Sequence, residues 1–139
     1  MRDRGSILPL IAGLLALSLS AVMAVSSVTS LSLERHRLVA LAESTALAAA
    51  DHFDPSRMTR SGGEAQAPLT SKSVREAAVD YLSSAAIRLD SLRLVSADSP
   101  DGRRARIVLA ATWTAPLVSE FVSISVPLRA EAWARSVIR

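Results

Sequence analysis

The chain has 139 residues and a formal net charge of +3; half of its residues (50%) are apolar and only 4% are aromatic. It contains no cysteine, which excludes disulfides, thiolate metal sites and cysteine nucleophiles. Lys72 is the only lysine, and the arginines are spread along the chain, so the charge pattern does not favour nucleic-acid binding. Once the apolar N-terminal segment is set aside, the remaining length suits one small domain.

The first element is an uninterrupted apolar stretch. No charged residue occurs from Ile7 to Leu33, and as a helix this stretch is longer than a hydrocarbon core of about 30 Å. Ser6 can cap the helix, and Pro9 lies in its first turn, where a missing N–H loses no intrahelical bond. We therefore predict one membrane anchor over residues 7–33, preceded by a cytoplasmic tail of residues 1–6.

The orientation of this anchor is suggested by the shortness of the tail. Arg2 and Arg4 make the tail basic, which favours a cytoplasmic N terminus, but Arg35 and Arg37 give the far end a similar basic excess. Because so short a tail makes this the easier topology, we expect the C-terminal domain to lie outside the cytoplasm.

Small residues recur at every fourth position of the anchor, at Ala12, Ala16, Ser20 and Ala24. Such a ridge lets a second helix approach closely in lipid, although alanine and serine are also common in membrane segments of no particular function.

The same region contains a possible cleavage site, because Val22-Met23-Ala24 fits the pattern that a signal peptidase reads. Since apolar residues continue to Leu33, we expect the anchor to stay uncleaved.

The helical period continues over residues 34–53, which we predict to be an amphipathic extension of the same helix. Its apolar face comprises Leu38, Leu41, Ala42, Ala46, Ala49 and Phe53, and its polar face His36, Arg37, Glu43 and Asp51. Asp54-Pro55 should end the helix, because the residue before proline is pushed out of the helical conformation. Residues 54–72, with Gly62-Gly63 and Pro68, are expected to form a flexible loop.

The remaining residues, 73–139, predict a small head, so that the whole chain is α+β. Ser73-x-x-Glu76 has the pattern of a capping box that opens a second helix. Alternating segments then predict strands over 92–98, 104–115 and 121–135, with a turn at 99–102. Because Pro127 lacks an N–H donor, the last strand is expected either to lie at an edge of the sheet or to bend at this residue. We expect a three-stranded antiparallel meander packed on the second helix through Tyr81, Leu82, Ile107, Leu109, Ile124 and Val126.

Candidate catalytic and metal-binding residues are few. Asp51-His52-Phe53-Asp54 offers two carboxylates and an imidazole, but neighbouring helical residues point about 100° apart. His36 stands beside two arginines next to the membrane, and Asp98 and Asp101 belong to a turn that favours aspartate. There is no glycine-rich phosphate loop. The sequence predicts no catalytic residue, no metal or other cofactor, no nucleic-acid partner and no small-molecule substrate.

The N-terminal third resembles a known family. Arg4-Gly5-Ser6, the apolar run to Leu33, Arg35-His36-Arg37 and above all LAESTALAAA at residues 41–50 resemble the TadE/TadG-like proteins of tight-adherence (Flp) pilus systems, especially the short actinobacterial versions. The resemblance covers residues 4–53, with a weaker echo at 113–116. It implies a minor pilin or pseudopilin-like protein with an N-terminal membrane helix, a small extracytoplasmic head and no catalysis. The implied partners are other pilins or Tad membrane-platform components, besides the lipid bilayer.

One departure from the pattern of such pilins concerns processing. Type IV-type pilins usually carry glutamate at the fifth position after the cleavage glycine, and counting from Gly5 that position is Leu10. This departure argues against cleavage by a prepilin peptidase at Gly5 and Ser6, and cleavage after Ala24 is the other alternative to the uncleaved anchor. A second function is also open, namely an anchored or secreted cell-envelope binding module that uses the apolar segment for export.

Overall fold

A computed structural model describes residues 7–52, 59–61, 64–66, 69–86, 89–116 and 124–135, with side chains described outside 53–68. These residues form helices α1 (Ile7–Asp51) and α2 (Ser71–Ser84) and strands β1 (Thr59–Ser61), β2 (Glu64–Gln66), β3 (Arg93–Asp98), β4 (Arg104–Thr114) and β5 (Ser125–Arg135). The predicted α+β class is confirmed.

α1 is one helix of 45 residues that contains both the predicted anchor and its amphipathic extension. Five members of the predicted apolar face are buried: Leu38, Leu41, Ala42, Ala46 and Ala49. The residues predicted to lie opposite, including His36 and Glu43, are exposed. The described helix ends at Asp51, and the predicted stop at Asp54-Pro55, like Phe53, lies outside the described residues.

β3, β4 and β5 form the predicted antiparallel meander, with β4 in the middle. β4 and β5 pair along their whole length, from Arg104 opposite Arg135 to Thr114 opposite Ser125. The turn from β3 to β4 needs a glycine, because Gly102 has a φ of +67°, where a side chain would be strained. Pro127 lies on β5, an edge strand of this sheet, which is one of the two alternatives expected from its missing donor.

The core lies between this sheet and both helices. α1 packs across β4 and β5, whereas α2 packs on α1 and β3 and contacts β4 only slightly. Alanines lie on both sides of the α1 contact, at Ala42 and Ala46 on the helix and at Ala130 and Ala132 on β5, and all four are buried. Small side chains allow helix and sheet to approach closely. The fully buried large side chains include Leu41, Ile107 and Leu109, and these fill the centre of the core.

Three sequence expectations about the head need correction. Ile124 was expected in the core but is 46% exposed, whereas Val126, two residues later, is half-buried. α2 covers the β3 side of the sheet, and the centre that it was expected to cover is occupied by α1. The expected loop contains a short antiparallel hairpin, in which β1 pairs with β2 from Thr59 opposite Gln66 to Ser61 opposite Glu64.

A fourth correction concerns the start of α2, and its cause is clear. Thr70, not Ser73, is the N-cap: its Oγ1 accepts a hydrogen bond from the Ser73 backbone N–H, and the Ser73 Oγ accepts one from the Thr70 N–H, each at 3.2 Å. This reciprocal pair is a capping box built with serine at the third helical position. Glu76 forms no such cap and instead lies 3.8 Å from the Lys72 ammonium group, one turn away.

Candidate functional site: the exposed helix and its junction with the head

The first half of α1 presents an apolar surface that the described residues leave uncovered. Side chains from Ile7 to Thr29 are exposed except for Met23 and Ser27, which are half-buried. At about 1.5 Å per residue, residues 7–29 extend roughly 34 Å, close to the thickness of a hydrocarbon core. By length and composition this is the one described helix able to cross a membrane, and it lies near the N terminus, where a signal sequence passes the same test.

Four of the hydroxyl groups inside this stretch have hydrogen-bond acceptors within the helix. Ser18, Ser20, Ser27 and Thr29 each donate to the carbonyl oxygen four residues earlier, over 2.8–2.9 Å. In a lipid environment an unpaired donor is costly, and these bonds remove that cost without any partner from outside the helix. The serines and threonine are therefore compatible with an apolar solvent.

The predicted packing ridge is continuous and accessible. Ala12, Ala16, Ser20 and Ala24 are all exposed, and the Ser20 hydroxyl donates to the Ala16 carbonyl along the ridge itself. The structure thus leaves the ridge available to a second helix, and its use stays a prediction. Of the candidate processing sites, Ala24 lies within α1, while Gly5 and Ser6 lie outside the described residues.

A hydrogen bond joins the anchor to the head. The indole Nε1–H of Trp113, near the end of β4, donates to the Ser30 Oγ of α1 at 3.2 Å. The indole is only 7% exposed, and Ser30 is the first residue after the exposed stretch. Tryptophan is favoured at the boundary between lipid and water, because its ring is apolar and its N–H is polar. Because α1 continues unbroken past this point, the head is attached to the anchor without a linker.

A groove lies beside this junction, between α1 and the start of β5, with a volume of about 470 Å³. Apolar side chains make up most of its wall, and two arginines contribute its positive charge. It is lined by Val28, Leu31, Ser32 and Arg35 of α1 and by Val126, Pro127, Leu128 and Arg129 of β5. No local sequence pattern predicts this groove, because its two walls are more than ninety positions apart in the chain.

The outer face of the sheet carries a polar and aromatic cluster. Asp98 accepts two hydrogen bonds from the Arg106 guanidinium, at 2.9 and 2.8 Å, and one from the Ser96 hydroxyl at 2.6 Å. The Arg104 and Arg106 guanidinium carbons lie 5.1 and 5.5 Å from the centre of the Trp133 ring, within the range of cation–π attraction. These contacts hold β3, β4 and β5 together on the face away from the helices.

The electrostatics of this cluster follow from its hydrogen bonds. The bonds from Arg106 and then from Ser96 lower the pKa of the Asp98 carboxyl, and the same pair raises the pKa of Arg106. The pKa of Asp101 is lowered mainly by the backbone N–H of Arg103, with the Arg104 side chain next. Asp101 is a turn residue, as predicted, whereas Asp98 is the last residue of β3. Both carboxylates are held as anions in structural contacts.

The other candidate chemical residues are not brought together. His36, Asp51 and His52 are exposed on α1 or at its end, and Asp54 lies outside the described residues. Within the described ranges no group of three or more histidine, aspartate or glutamate side chains is placed to hold a metal ion.

The fold and the junction define a class of protein with one long N-terminal helix. The first half of this helix is exposed and apolar, and its second half forms part of the core of a small α+β head. Residues 5–52, which include almost the whole of α1, match the model of the family described as Flp pilus-assembly TadE/G-like. The match associates the chain with Flp pilus assembly and does not extend into the sheet. No curated protein and no solved structure matches the chain.

Proposed function

We propose that the protein is a non-catalytic, membrane-anchored structural component of an Flp (Tad) pilus or a related type IV filament or secretion system, of minor-pilin or pseudopilin type. One observation carries the proposal. α1 is exposed and apolar over residues 7–29, and further along one of its faces, which includes Leu38, Leu41 and Ala46, is buried against α2 and the sheet, so a single helix is both the proposed anchor and a core element. The family match covers both parts of that helix.

A structural role agrees with the state of the polar residues. Asp98 and Asp101 already accept hydrogen bonds that lower the pKa of each, which suits ion pairing and not proton transfer near neutral pH. His52 is exposed at a helix end. These features support a protein that acts through surfaces, and the ridge at Ala12, Ala16, Ser20 and Ala24 is the surface that would contact other pilins or platform components.

The proposed arrangement places the head outside the cytoplasm, because a component of a surface filament has to lie there. A reporter active only outside the cytoplasm, fused after Arg139, should be active, and a cytoplasm-dependent reporter at the same position should be silent. The opposite pair of results would place the head in the cytoplasm and would contradict the proposal.

The functional test is deletion of the gene followed by electron-microscopic counting of Flp filaments on the cell surface. We expect filaments to be lost, to return with the wild-type gene, and not to return when residues 7–29 are replaced by an unrelated membrane-spanning helix. Normal filaments in the deletion strain would reject the proposal. Restoration by the replaced anchor would show that the helix only tethers the head.

A further inference from the structure

The groove between α1 and β5 lies at the level where the proposed anchor leaves the lipid. Val28 belongs to the last turn of the exposed apolar stretch, and Arg35 lies seven positions further along the same helix. At about 1.5 Å per residue the two are roughly 10 Å apart along the helix axis, which is comparable to the depth of one headgroup layer. The groove therefore extends from the edge of the hydrocarbon into the headgroup region.

The wall of the groove suits a hydrocarbon chain. Val28 and Leu31 on one side and Val126, Pro127 and Leu128 on the other are apolar, and the proline has no N–H to leave unpaired. The groove is also continuous with the exposed stretch of α1 that lipid would surround, since Val28 belongs to both. An acyl chain can enter it from the bilayer without crossing a polar barrier.

The charge of the groove selects the headgroup. Arg35 and Arg129 stand on its two walls, both exposed, and neither forms an ion pair with another described residue. The nearest acidic residue on the helix, Glu34, is paired with Arg37 at 3.6 Å. Two guanidinium groups without an acidic partner among the described residues are suited to a phosphate in a headgroup whose net charge is negative.

We propose that this groove binds one anionic phospholipid, with an acyl chain against the apolar wall and the phosphate on Arg35 and Arg129. The bound lipid would fill the gap between anchor and head and fix the height of the head above the membrane. The site depends on the proposed membrane anchoring, so its test measures membrane insertion separately.

The experiment uses the full chain in nanodiscs of phosphatidylcholine with a minor fraction of phosphatidylglycerol, and native mass spectrometry counts the lipids that stay bound. The double variant Arg35→Gln, Arg129→Gln removes both charges while keeping the side chains long. The matched control is Arg103→Gln, Arg135→Gln, which removes the same charge at the end of the sheet far from the groove. A third variant, Ser32→Phe, fills the groove and leaves both arginines in place.

We expect wild type and control to retain one phosphatidylglycerol in preference to phosphatidylcholine. In the double arginine variant the amount of retained phosphatidylglycerol should fall roughly tenfold or more, since each arginine near an anionic headgroup strengthens lipid binding. Ser32→Phe should also lose this retention. Equal retention in the wild type and the double arginine variant, or no preference for phosphatidylglycerol in the wild type, would overturn the site. Flotation with vesicles is measured for every variant, and failure of the wild type to float would instead reject the anchor.

Discussion

Asp98 makes the stability of the three-stranded sheet depend on pH. Asp98 is the last residue of β3, and its carboxylate accepts a hydrogen bond from Arg106 of β4. The Arg106 guanidinium also lies over the Trp133 ring of β5. Because the pKa of Asp98 is lowered below the ordinary aspartate value of 3.8, the pair contributes stability that is present above about pH 4 and is lost as the pH falls through the lowered pKa. Arg106 stays protonated throughout this range.

We therefore expect Asp98→Asn to lower the free energy of unfolding near neutral pH by up to about 1 kcal/mol, since both side chains are partly exposed. The penalty should shrink as the pH falls through the lowered pKa of Asp98, because the wild-type carboxylate is then also lost. Urea unfolding between pH 3 and pH 7 measures the effect. Glu43→Gln, on the exposed face of α1, is the control, and an equal pH dependence in both variants would contradict the role of Asp98.

Leu109 and His52 represent opposite environments. Leu109 is fully buried at the centre of β4, so Leu109→Ala should leave a cavity and lower the free energy of unfolding by about 2 to 4 kcal/mol. His52 is exposed, and His52→Ala should change stability by less than about 0.5 kcal/mol and leave filament formation intact. Chemical denaturation and filament counts measure the two. A folded His52→Ala protein that forms no filaments would reopen Asp51, His52 and Asp54 as a chemical site.

At the scale of the element, the composition of α1 changes between its exposed first half and its partly buried second half. Its first half carries leucine and valine outward, whereas its second half is largely alanine on the side that faces the sheet. Bulky exposed side chains suit lipid contact, and alanine suits close packing on β5. The helix is continuous, so a force or rotation applied to the anchor is transmitted directly to the head.

The small-residue ridge belongs to the same scale. Replacing Ala16 and Ser20 by leucine keeps the segment apolar and should leave membrane insertion unchanged, but it fills the ridge. Helix association should weaken by on the order of 1 kcal/mol or more. Cross-linking yield to pilus partners measures association and carbonate extraction measures insertion. Leu10→Ala and Leu17→Ala, outside the ridge, are the controls, and equal yields in all variants would show that the ridge is not a contact surface.

For the whole molecule, the structure makes the family segment inseparable from the head. Removing residues 1–52 takes away Leu38, Leu41 and the alanines that cover β4 and β5. Each buried leucine contributes about 1.5 to 3 kcal/mol, against a total stability of about 5 to 15 kcal/mol for a small domain.

We therefore expect the fragment 53–139 to be unfolded, whereas the fragment 30–139, which keeps Ser30 and the buried half of α1, should fold in water. Circular dichroism and the dispersion of amide resonances in NMR spectra distinguish the two. A cooperatively folded 53–139 fragment would show that α2 alone suffices to cover the sheet, as the sequence pattern first suggested.

The sequence by itself determined those features that depend on residues close together in the chain. The length of the stretch without charged residues predicts the anchor, and the spacing of apolar residues every 3.6 positions predicts the buried face of residues 38–49. Alternating apolar and polar residues, interrupted by a Pro-Asp-Gly turn, predict the meander. The family resemblance belongs here too, since it rests on contiguous residues of one helix, and residues 5–52 match that family.

The tertiary structure decided which surfaces meet. Both helices have an apolar face, and no local pattern states that α1 covers the centre of the sheet while α2 takes its β3 side. The cap at Thr70 was missed because serine, rather than glutamate, completes the box. The Trp113–Ser30 bond and the groove with Arg35 and Arg129 join residues more than eighty positions apart. Such contacts arise only when packing of the whole chain fixes distances that sequence spacing leaves free.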